Sequence, residues 1–149
     1  MVKKNFPVHS AAGPLAIQNP HRILIADDNQ DAADSLAMLL ELLGYQVLTV
    51  YGGNHAIEVA QQQRPDTVVL DIGMPGLNGY DVARRLRELE WAQELTLIAH
   101  TGYGQIADVR RARAAGFDHH LTKPLEFELL RRILRGELPP LAGCRALLN

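Results

Sequence analysis

The sequence predicts an α/β domain in which helices cover both faces of a parallel sheet. Short runs of β-branched and other apolar residues alternate with longer segments of helical periodicity, which is the order of repeated strand–helix units. The chain has 149 residues, 47% of them hydrophobic, so one domain can bury a substantial core. The predicted strands are residues 22–26, 46–50, 67–70, 95–99 and 118–122.

The first two helices are predicted from leucine spacing and from stop signals. The second helix starts at an Asn54 N-cap, runs through Gln63 and ends before Pro65, since asparagine caps helices and proline interrupts them. The first helix ends at Gly44, a typical helix stop. Its leucines at helical spacing are Leu36, Leu39, Leu40 and Leu43.

Three further helices are predicted in the second half of the chain. The third runs from an Asn78 N-cap to about Leu89, the fourth spans about 105–115 and stops at Gly116, and the fifth follows Pro124. The inward stripe of the fifth helix consists of Leu125, Leu129, Leu130, Ile133 and Leu134.

Composition excludes several classes of protein. A formal net charge of -2 argues against a nucleic-acid footprint over the whole surface. The single Cys144 cannot form an internal disulfide, and no apolar stretch is long enough to insert in a membrane, so a cytoplasmic protein is expected. We expect residues 1–21 to be a flexible leader, residues 22–136 to be the domain, and residues 137–149 to be a tail too short for an output domain.

Polar side chains follow the predicted strands at one edge of the sheet. Asp27 and Asp28 follow the first strand, Asp71 ends the third, Thr101 follows the fourth and Lys123 follows the fifth. In open α/β sheets, ligands bind beyond the carboxyl ends of the strands, so these side chains are expected to meet there. Three carboxylates at this edge suggest a divalent cation.

These residue types suit phosphoryl transfer to a carboxylate. Mg²⁺ prefers oxygen ligands and can bridge carboxylates to a phosphoryl oxygen, which reduces the repulsion between an anionic donor and an anionic nucleophile. Asp71 is the expected nucleophile. Lys123 offers positive charge to a phosphoryl oxygen, and Thr101 can donate a hydrogen bond to another.

With these residues in view, the chain resembles the receiver domain of two-component response regulators from Arg22 to Gly136. The resemblance implies a doubly wound, flavodoxin-like sheet of five parallel strands in the order 2-1-3-4-5, with five helices. It also implies a stand-alone regulator or phosphorelay shuttle, or alternatively a receiver excised from a hybrid sensor kinase. The matching motifs are Asp27-Asp28, the segment from Asp71 to Gly79, Thr101-Gly102 and Lys123-Pro124.

The family mechanism, carried onto this sequence, has Asp71 accept a phosphoryl group from a phosphohistidine of a partner kinase or phosphotransfer protein. The receiver supplies the catalytic groups for its own phosphorylation and dephosphorylation and has no separate turnover substrate. Asp28, Asp71 and the backbone carbonyl of Gly73 would bind Mg²⁺, while Asp27 would act mainly through metal-bound water.

The resemblance also implies a conformational switch. Thr101 would move toward phosphorylated Asp71, and His120 matches the aromatic switch position that follows this movement. The surface of helix 4, strand 5 and helix 5 would then change and control an unidentified target protein. Helix 1 and the loop after Lys123 would contact the kinase, and Lys123-Pro124 would be a cis peptide.

Several residues depart from the family pattern. The family usually has an apolar residue at His100 and often Tyr or Phe at His120, so we hypothesise that protonation of these histidines biases the switch near neutral pH. Gly73 and Tyr103 occupy positions that influence the lifetime of the phosphate.

Simpler interpretations exist for single residues. Asp27 or Asp28 alone could cap helix 1, and Thr101 alone could satisfy backbone groups in its loop. Adjacent His119 and His120 point to opposite faces of a strand and so are poorly placed to chelate one ion. Three arginines in the predicted fourth helix suit either a recognition surface or a solvated helix face. They are Arg110, Arg111 and Arg113.

Other functional classes are less well supported. Flavin binding would need backbone N–H groups where Asp27 and Asp28 stand. An aspartyl-phosphate phosphatase of one superfamily would need an acid at Gly73. The main alternative is an interaction module that works without phosphorylation.

Overall fold

The computed structural model describes Asn5, Phe6, residues 21–102, Gly104 and residues 106–141. Five parallel strands form one sheet in the order β2-β1-β3-β4-β5, which confirms the predicted topology. The strands are β1 (Arg22–Ala26), β2 (Gln46–Val50), β3 (Thr67–Asp71), β4 (Thr96–Thr101) and β5 (His119–Thr122). The helices are α1 (Gln30–Leu42), α2 (Gly53–Gln63), α3 (Gly79–Arg87), α4 (Ile106–Ala115) and α5 (Phe127–Leu134), with a 3₁₀ helix at Glu90–Glu94.

The sheet separates two hydrophobic cores because successive strand residues point to opposite faces. On one face, Ile23 and Val69 pack with the apolar sides of α1 and α5. On the other face, Leu24 and Val68 pack with α2, α3 and α4. Strands β1 and β3 lie inside the sheet and are covered on both faces, so their sequences read as continuous apolar runs.

Two predicted helix boundaries differ from the structure. Helix α2 begins at Gly53 after a Gly52 N-cap, and Asn54 lies inside it, so the predicted cap is wrong. A side chain at Gly53 would overlap the carbonyl oxygen of Leu77, which explains why glycine begins this helix. Helix α3 ends at Arg87, before the predicted end at Leu89, because a separate 3₁₀ helix follows.

The predicted strands agree with the structure except at their ends. Strand β3 includes Asp71, and β4 runs through Thr101. The predicted start of α4 at Gln105 lies outside the described residues, as do Tyr103 and Cys144. In the described part of the chain, no helix combines the length and apolar character that crossing a membrane requires.

A buried ion pair ties α3 to the beginning of β4 and β5. Arg87 Nη2 donates to Asp118 Oδ2 at 2.8 Å, and the same carboxylate oxygen accepts the N–H of Leu97 at 2.9 Å. Arg87 also donates to the carbonyl oxygens of Leu95 at 2.7 Å and Gly116 at 3.0 Å. This cluster holds the end of the sheet opposite the carboxyl ends of the strands.

Candidate functional site

Three aspartates meet at the carboxyl edge of the sheet. Asp27 and Asp28 follow β1, Asp71 ends β3, and these strands are neighbours in the sheet. One carboxylate oxygen from each residue lies within 4.8 Å of the others. Asp27 and Asp71 are each 5% exposed, whereas Asp28 is exposed. The predicted acidic cluster is therefore present, with two members largely withdrawn from water.

Local turns hold the two buried carboxylates. Asp27 Oδ1 accepts the N–H of Asn29 at 2.9 Å, and Asp71 Oδ1 accepts the N–H of Gly73 at 3.1 Å. Asn29 is the N-cap of α1, and its side chain accepts the N–H of Ala32 at 3.1 Å. The helix-capping role considered for Asp27 or Asp28 thus belongs to Asn29.

The two buried acids of the cluster have pKa values that are shifted in opposite directions. Burial, the neighbouring Asp71 carboxylate and a hydrogen bond to it raise the pKa of Asp27 to about 6, even though the N–H of Asn29 opposes this shift. Burial alone would also raise the pKa of Asp71, but the N–H of Gly73 and the Lys123 ammonium outweigh it and lower that pKa. Asp71 therefore stays ionised at neutral pH.

The donor set fits a divalent cation. Crowded, desolvated carboxylates repel one another, and the raised pKa of Asp27 results first from its burial and then from this repulsion. A hard cation would relieve the repulsion, and oxygen-only sites of this kind are typical of Mg²⁺. The backbone carbonyl of Gly73, predicted as a further ligand, stays a prediction.

Lys123 lies beside Asp71, and Thr101 ends the strand next to the strand of Asp71. Lys123 Nζ is 3.2 Å from Asp71 Oδ1, and its side chain is 39% exposed. Its backbone N–H donates to the carbonyl oxygen of Thr101 at 2.7 Å, and its peptide bond to Pro124 is cis, as predicted. Thr101 is buried at the end of β4. The ends of β3, β4 and β5 therefore place Asp71, Thr101 and Lys123 at one edge of the sheet, with the carboxylate and the ammonium in direct contact.

His100 and His120 lie on opposite faces of the sheet. His100 pairs with Asp71 across β3 and β4 and lines a cavity of about 280 Å³ that also contacts Asp71 and Lys123. His120 is the partner of Ala99, whose side chain belongs to the core under α2, α3 and α4. The structure therefore separates the two histidines that sequence reasoning grouped together.

Both histidines are neutral at neutral pH. Burial lowers the pKa of His100 to about 4, with a further contribution from Lys123, and burial also lowers the pKa of His120. The Nε2 atoms of both rings are buried and have no hydrogen-bond partner within the described part of the chain. Because both pKa values are lowered, His100 and His120 become protonated at a lower pH than the neutral range that the hypothesis from the sequence assumed.

Sequence reasoning missed the supporting role of Gly79. A Cβ atom there would lie 2.8 Å from both the carbonyl oxygen of Asp71 and the Cα atom of Ile72. The N–H of Gly79 donates to the carbonyl oxygen of Ile72 at 3.1 Å. Helix α3 can therefore begin directly against the backbone of Asp71, and the glycine one residue after the Asn78 cap was the available signal.

Comparison with known sequences supports the resemblance to receiver domains. The family described as the response regulator receiver domain matches residues 23–135. Protein PilH of Pseudomonas aeruginosa is 35% identical over 117 residues, which cover 78% of this chain and 97% of PilH. The virulence sensor protein BvgS of Bordetella pertussis is 34% identical over 130 residues, covering 84% of this chain but only 10% of BvgS. The chain therefore spans about a tenth of that sensor.

Solved structures show the same fold. The receiver domain of sensor histidine kinase PA1611 from Pseudomonas aeruginosa, which has a magnesium ion coordinated in its active site cleft, matches with a TM-score of 0.72. It is 32% identical, and the match covers 78% of this chain and 96% of that domain. Chemotaxis response regulator CheY4 of Vibrio cholerae, at 24% identity, has a TM-score of 0.75 over 80% of this chain and all of CheY4. Fold, acidic cluster and family match agree, and the chain belongs to the response regulator receiver domain family of two-component signalling.

Proposed function

We propose that this receiver accepts a phosphoryl group on Asp71 and acts as a phosphorylation-dependent switch. One observation carries the proposal: Asp71 is buried, ionised and in contact with Lys123 at 3.2 Å within a cluster of three aspartates. A carboxylate kept ionised at neutral pH is a competent nucleophile. The expected donor is a phosphohistidine, whose P–N bond breaks as the bond from phosphorus to an Asp71 oxygen forms.

The side chains around Asp71 suit the charges of this reaction. Lys123 would follow the transferred group and pair with a phosphoryl oxygen, since its ammonium is mobile and partly exposed. The Thr101 hydroxyl would donate a hydrogen bond to another phosphoryl oxygen. The same groups would serve dephosphorylation by water, so the receiver would catalyse both steps without a separate turnover substrate.

Mg²⁺ is the proposed cofactor. Asp28, Asp71 and the carbonyl oxygen of Gly73 would hold it, with Asp27 acting through a bound water. When bound, it would supply the positive charge that reduces repulsion between the Asp71 carboxylate and an anionic donor. The raised pKa of Asp27, caused first by its burial and then by the neighbouring Asp71 carboxylate, supports this assignment.

The switch would connect Thr101 to His120 across neighbouring strands. Movement of Thr101 toward a phosphoryl group would vacate space on the face of the sheet that His120 shares with Ala99. The His120 ring would then change rotamer, and the surface of α4, β5 and α5 would change with it.

Helix α1 supports a role in docking the phosphoryl donor. Its outer surface bears large apolar side chains that are 43% to 78% exposed, and such exposure is typical of interaction surfaces. These residues are Met38, Leu39 and Leu42, together with Leu43 at the C-cap. A histidine kinase or phosphotransfer protein would contact this helix and the loop after Lys123, and the reaction would take place in the cytoplasm.

The chain could perform this function as a stand-alone regulator or as the receiver of a larger sensor kinase. The family match over residues 23–135 supports 22–136 as the functional unit. We propose that residues 1–21 serve as a leader and residues 137–149 as a tail. Asn5 and Phe6 already contact the domain, since the N–H of Phe6 donates to Gln63 Oε1 at 3.2 Å.

The test is phosphorylation by a small acyl phosphate with Mg²⁺, followed by intact-mass measurement. We expect a phosphoryl adduct in the wild type and none in Asp71→Asn or in the presence of a chelator. Asp31→Asn is the matched control, because it removes an exposed acid from the first turn of α1 outside the cluster. An adduct that persists in folded Asp71→Asn would reject Asp71 as the acceptor. A folded wild type that stays unmodified even with a cognate kinase would favour an interaction module independent of phosphorylation.

A further inference from the structure

A cluster of exposed arginines covers neighbouring helices α3 and α4. Each helix contains three arginines and one aspartate, with the aspartate in its first turn. On α3, Arg84 is exposed one helical turn beyond Tyr80, and on α4, Arg110 and Arg111 are exposed. We call these three residues the arginine face. It lies on the side of the sheet opposite α1 and α5.

The centre of the arginine face is held in place by Tyr80. The guanidinium carbon of Arg111 lies 4.3 Å from the centroid of the Tyr80 ring, a distance typical of a cation–π contact. Tyr80 is only 5% exposed and packs edge-on against Phe117. Arg111 from α4 is thereby held against a rigid ring from α3, so ordering it on binding costs little conformational entropy.

Arginines of both helices act on the side chain of Tyr80. Burial raises the pKa of Tyr80 and Asp108 adds to that shift, while Arg111 and Arg84 oppose it. Both arginines are therefore close enough to act on one hydroxyl group. The two helices present their positive charges together rather than on separate surfaces.

Most of the charge of the arginine face is not neutralised by the residues that the structure describes. Arg84 pairs with Asp81 at 3.0 Å. In that part of the chain, no carboxylate forms an ion pair with Arg110 or Arg111. Helix α5 differs, because its two arginines and the arginine at its C-cap each pair with a glutamate. Its pairs are Arg131 with Glu128, Arg132 with Glu137, and Arg135 with both.

Favourable interaction with helix dipoles explains only part of the pattern. Arg84 and Arg85 lie in the last turn of α3, where cations interact favourably with the helix terminus. Only Arg113 lies in the last turn of α4, so Arg110 and Arg111 fall outside this explanation. Residues 23–63, which form β1 after its first residue together with α1, β2 and α2, contain six acids and no lysine or arginine, so the lysines and arginines of the domain are concentrated in its later elements.

We propose that the arginine face is a docking surface for an acidic segment of a protein partner. Guanidinium groups bind carboxylates through paired hydrogen bonds, and Arg111 is already oriented by Tyr80. A nucleic-acid backbone fits less well, because Asp81 and Asp108 flank the face and would repel a continuous row of phosphates. The buried Tyr80 ring is also unable to stack on a base. The proposed contact uses charges that are already present when Asp71 carries no phosphoryl group.

The test is an NMR titration of the full, isotopically labelled chain with a synthetic helical peptide rich in Glu and Leu. We expect amide shifts concentrated in α3 and α4 that weaken as salt is added. Arg84→Gln combined with Arg110→Gln leaves the contact between Arg111 and Tyr80 intact and is expected to weaken binding about tenfold. The matched control is Arg131→Gln combined with Arg132→Gln on α5, which removes the same charge and is expected to leave the affinity unchanged.

Three outcomes would overturn the proposal. They are equal weakening by the α5 control, no shifts in α3 and α4 at low salt with the protein folded, and tighter binding of duplex DNA than of the peptide at equal salt. Arg111→Lys separates orientation from charge, since it keeps the cation but loses the planar group that stacks on Tyr80, and it is expected to weaken binding. All variants should still form the phosphoryl adduct, so a failure of docking is distinguishable from a failure of the acceptor site.

Discussion

Replacing Asp27 with Asn should stabilise the metal-free protein at neutral pH, although it removes a predicted metal-site residue. The pKa of Asp27 rises from 3.8 to about 6 on folding, so the folded state holds the ionised form less well than the unfolded state does. At about 1.4 kcal/mol per pKa unit, the ionised carboxylate costs at most about 3 kcal/mol of unfolding free energy. Asn keeps the size of the side chain and an oxygen that can accept the N–H of Asn29. We therefore expect a gain of about 1–3 kcal/mol.

The sign of the pH dependence follows from the raised pKa. Between pH 3.8 and about 6 the folded state binds more protons at Asp27 than the unfolded state does, so this residue lowers stability as pH rises through that window. Ionised Asp27 lowers the unfolding free energy by the full amount above about pH 6 and has no effect below pH 3.8. The advantage of Asp27→Asn should accordingly be present at pH 7.5 and disappear near pH 3.5.

The assay is urea unfolding with EDTA at several pH values, repeated with MgCl₂. Asp31→Asn is the control for a lost negative charge on the same side of the molecule, and it should give no comparable gain. Added MgCl₂ should raise the unfolding free energy of the wild type more than that of Asp27→Asn, because a ligand stabilises the state that binds it. A gain that is absent in EDTA, or equally large at pH 3.5 and 7.5, would refute the reasoning.

Three further predictions concern groups around the site and the opposite edge of the sheet. Arg87→Ala should cost about 3–5 kcal/mol in urea unfolding because it leaves the buried Asp118 carboxylate without its cation, and a loss below 1 kcal/mol would contradict this. Gly79→Ala should cost roughly 1–3 kcal/mol and slow phosphorylation, since its Cβ would press on the backbone of Asp71; an unchanged rate of adduct formation would count against the role of Gly79. The lowered pKa of His100, about 4, means that stability falls as pH drops from 6.5 toward 4, and His100→Leu should flatten this dependence. An imidazole NMR titration of His100 with a midpoint near 6.5 would disprove the shift.

The central part of the site was predictable from local sequence because its geometry depends on strand ends. Parallel strands finish at one edge, so residues that follow apolar runs must meet there, as Asp27, Asp71 and Lys123 do. The start of α2 was not predictable in this way, because the constraint on Gly53 comes from the carbonyl oxygen of Leu77 in another part of the chain.

Interactions between distant residues were also beyond the reach of sequence patterns. Arg87 has the position of an ordinary exposed arginine near a helix end, yet it bonds to Asp118, which is 31 residues away. Asn29 likewise became the cap of α1 although the acids before it were equally suitable by residue type. Burial and partner choice depend on tertiary packing, which residue type and spacing do not specify.

The contacts of Arg87 restrain the C-terminal end of α4. At its C-terminal end, the carbonyl oxygen of Gly116 is held by Arg87 Nε at 3.0 Å, and the N–H of Phe117 bonds to the carbonyl oxygen of Ala112 at 3.0 Å. The N-terminal end follows the segment after Thr101, on the same edge of the sheet as Asp71. We therefore expect a displacement that begins at Asp71 to move the first turn of α4 more than its C-terminal end at Gly116. In hydrogen exchange, amides around Gly116 should stay protected while those of the first turn respond to the state of Asp71.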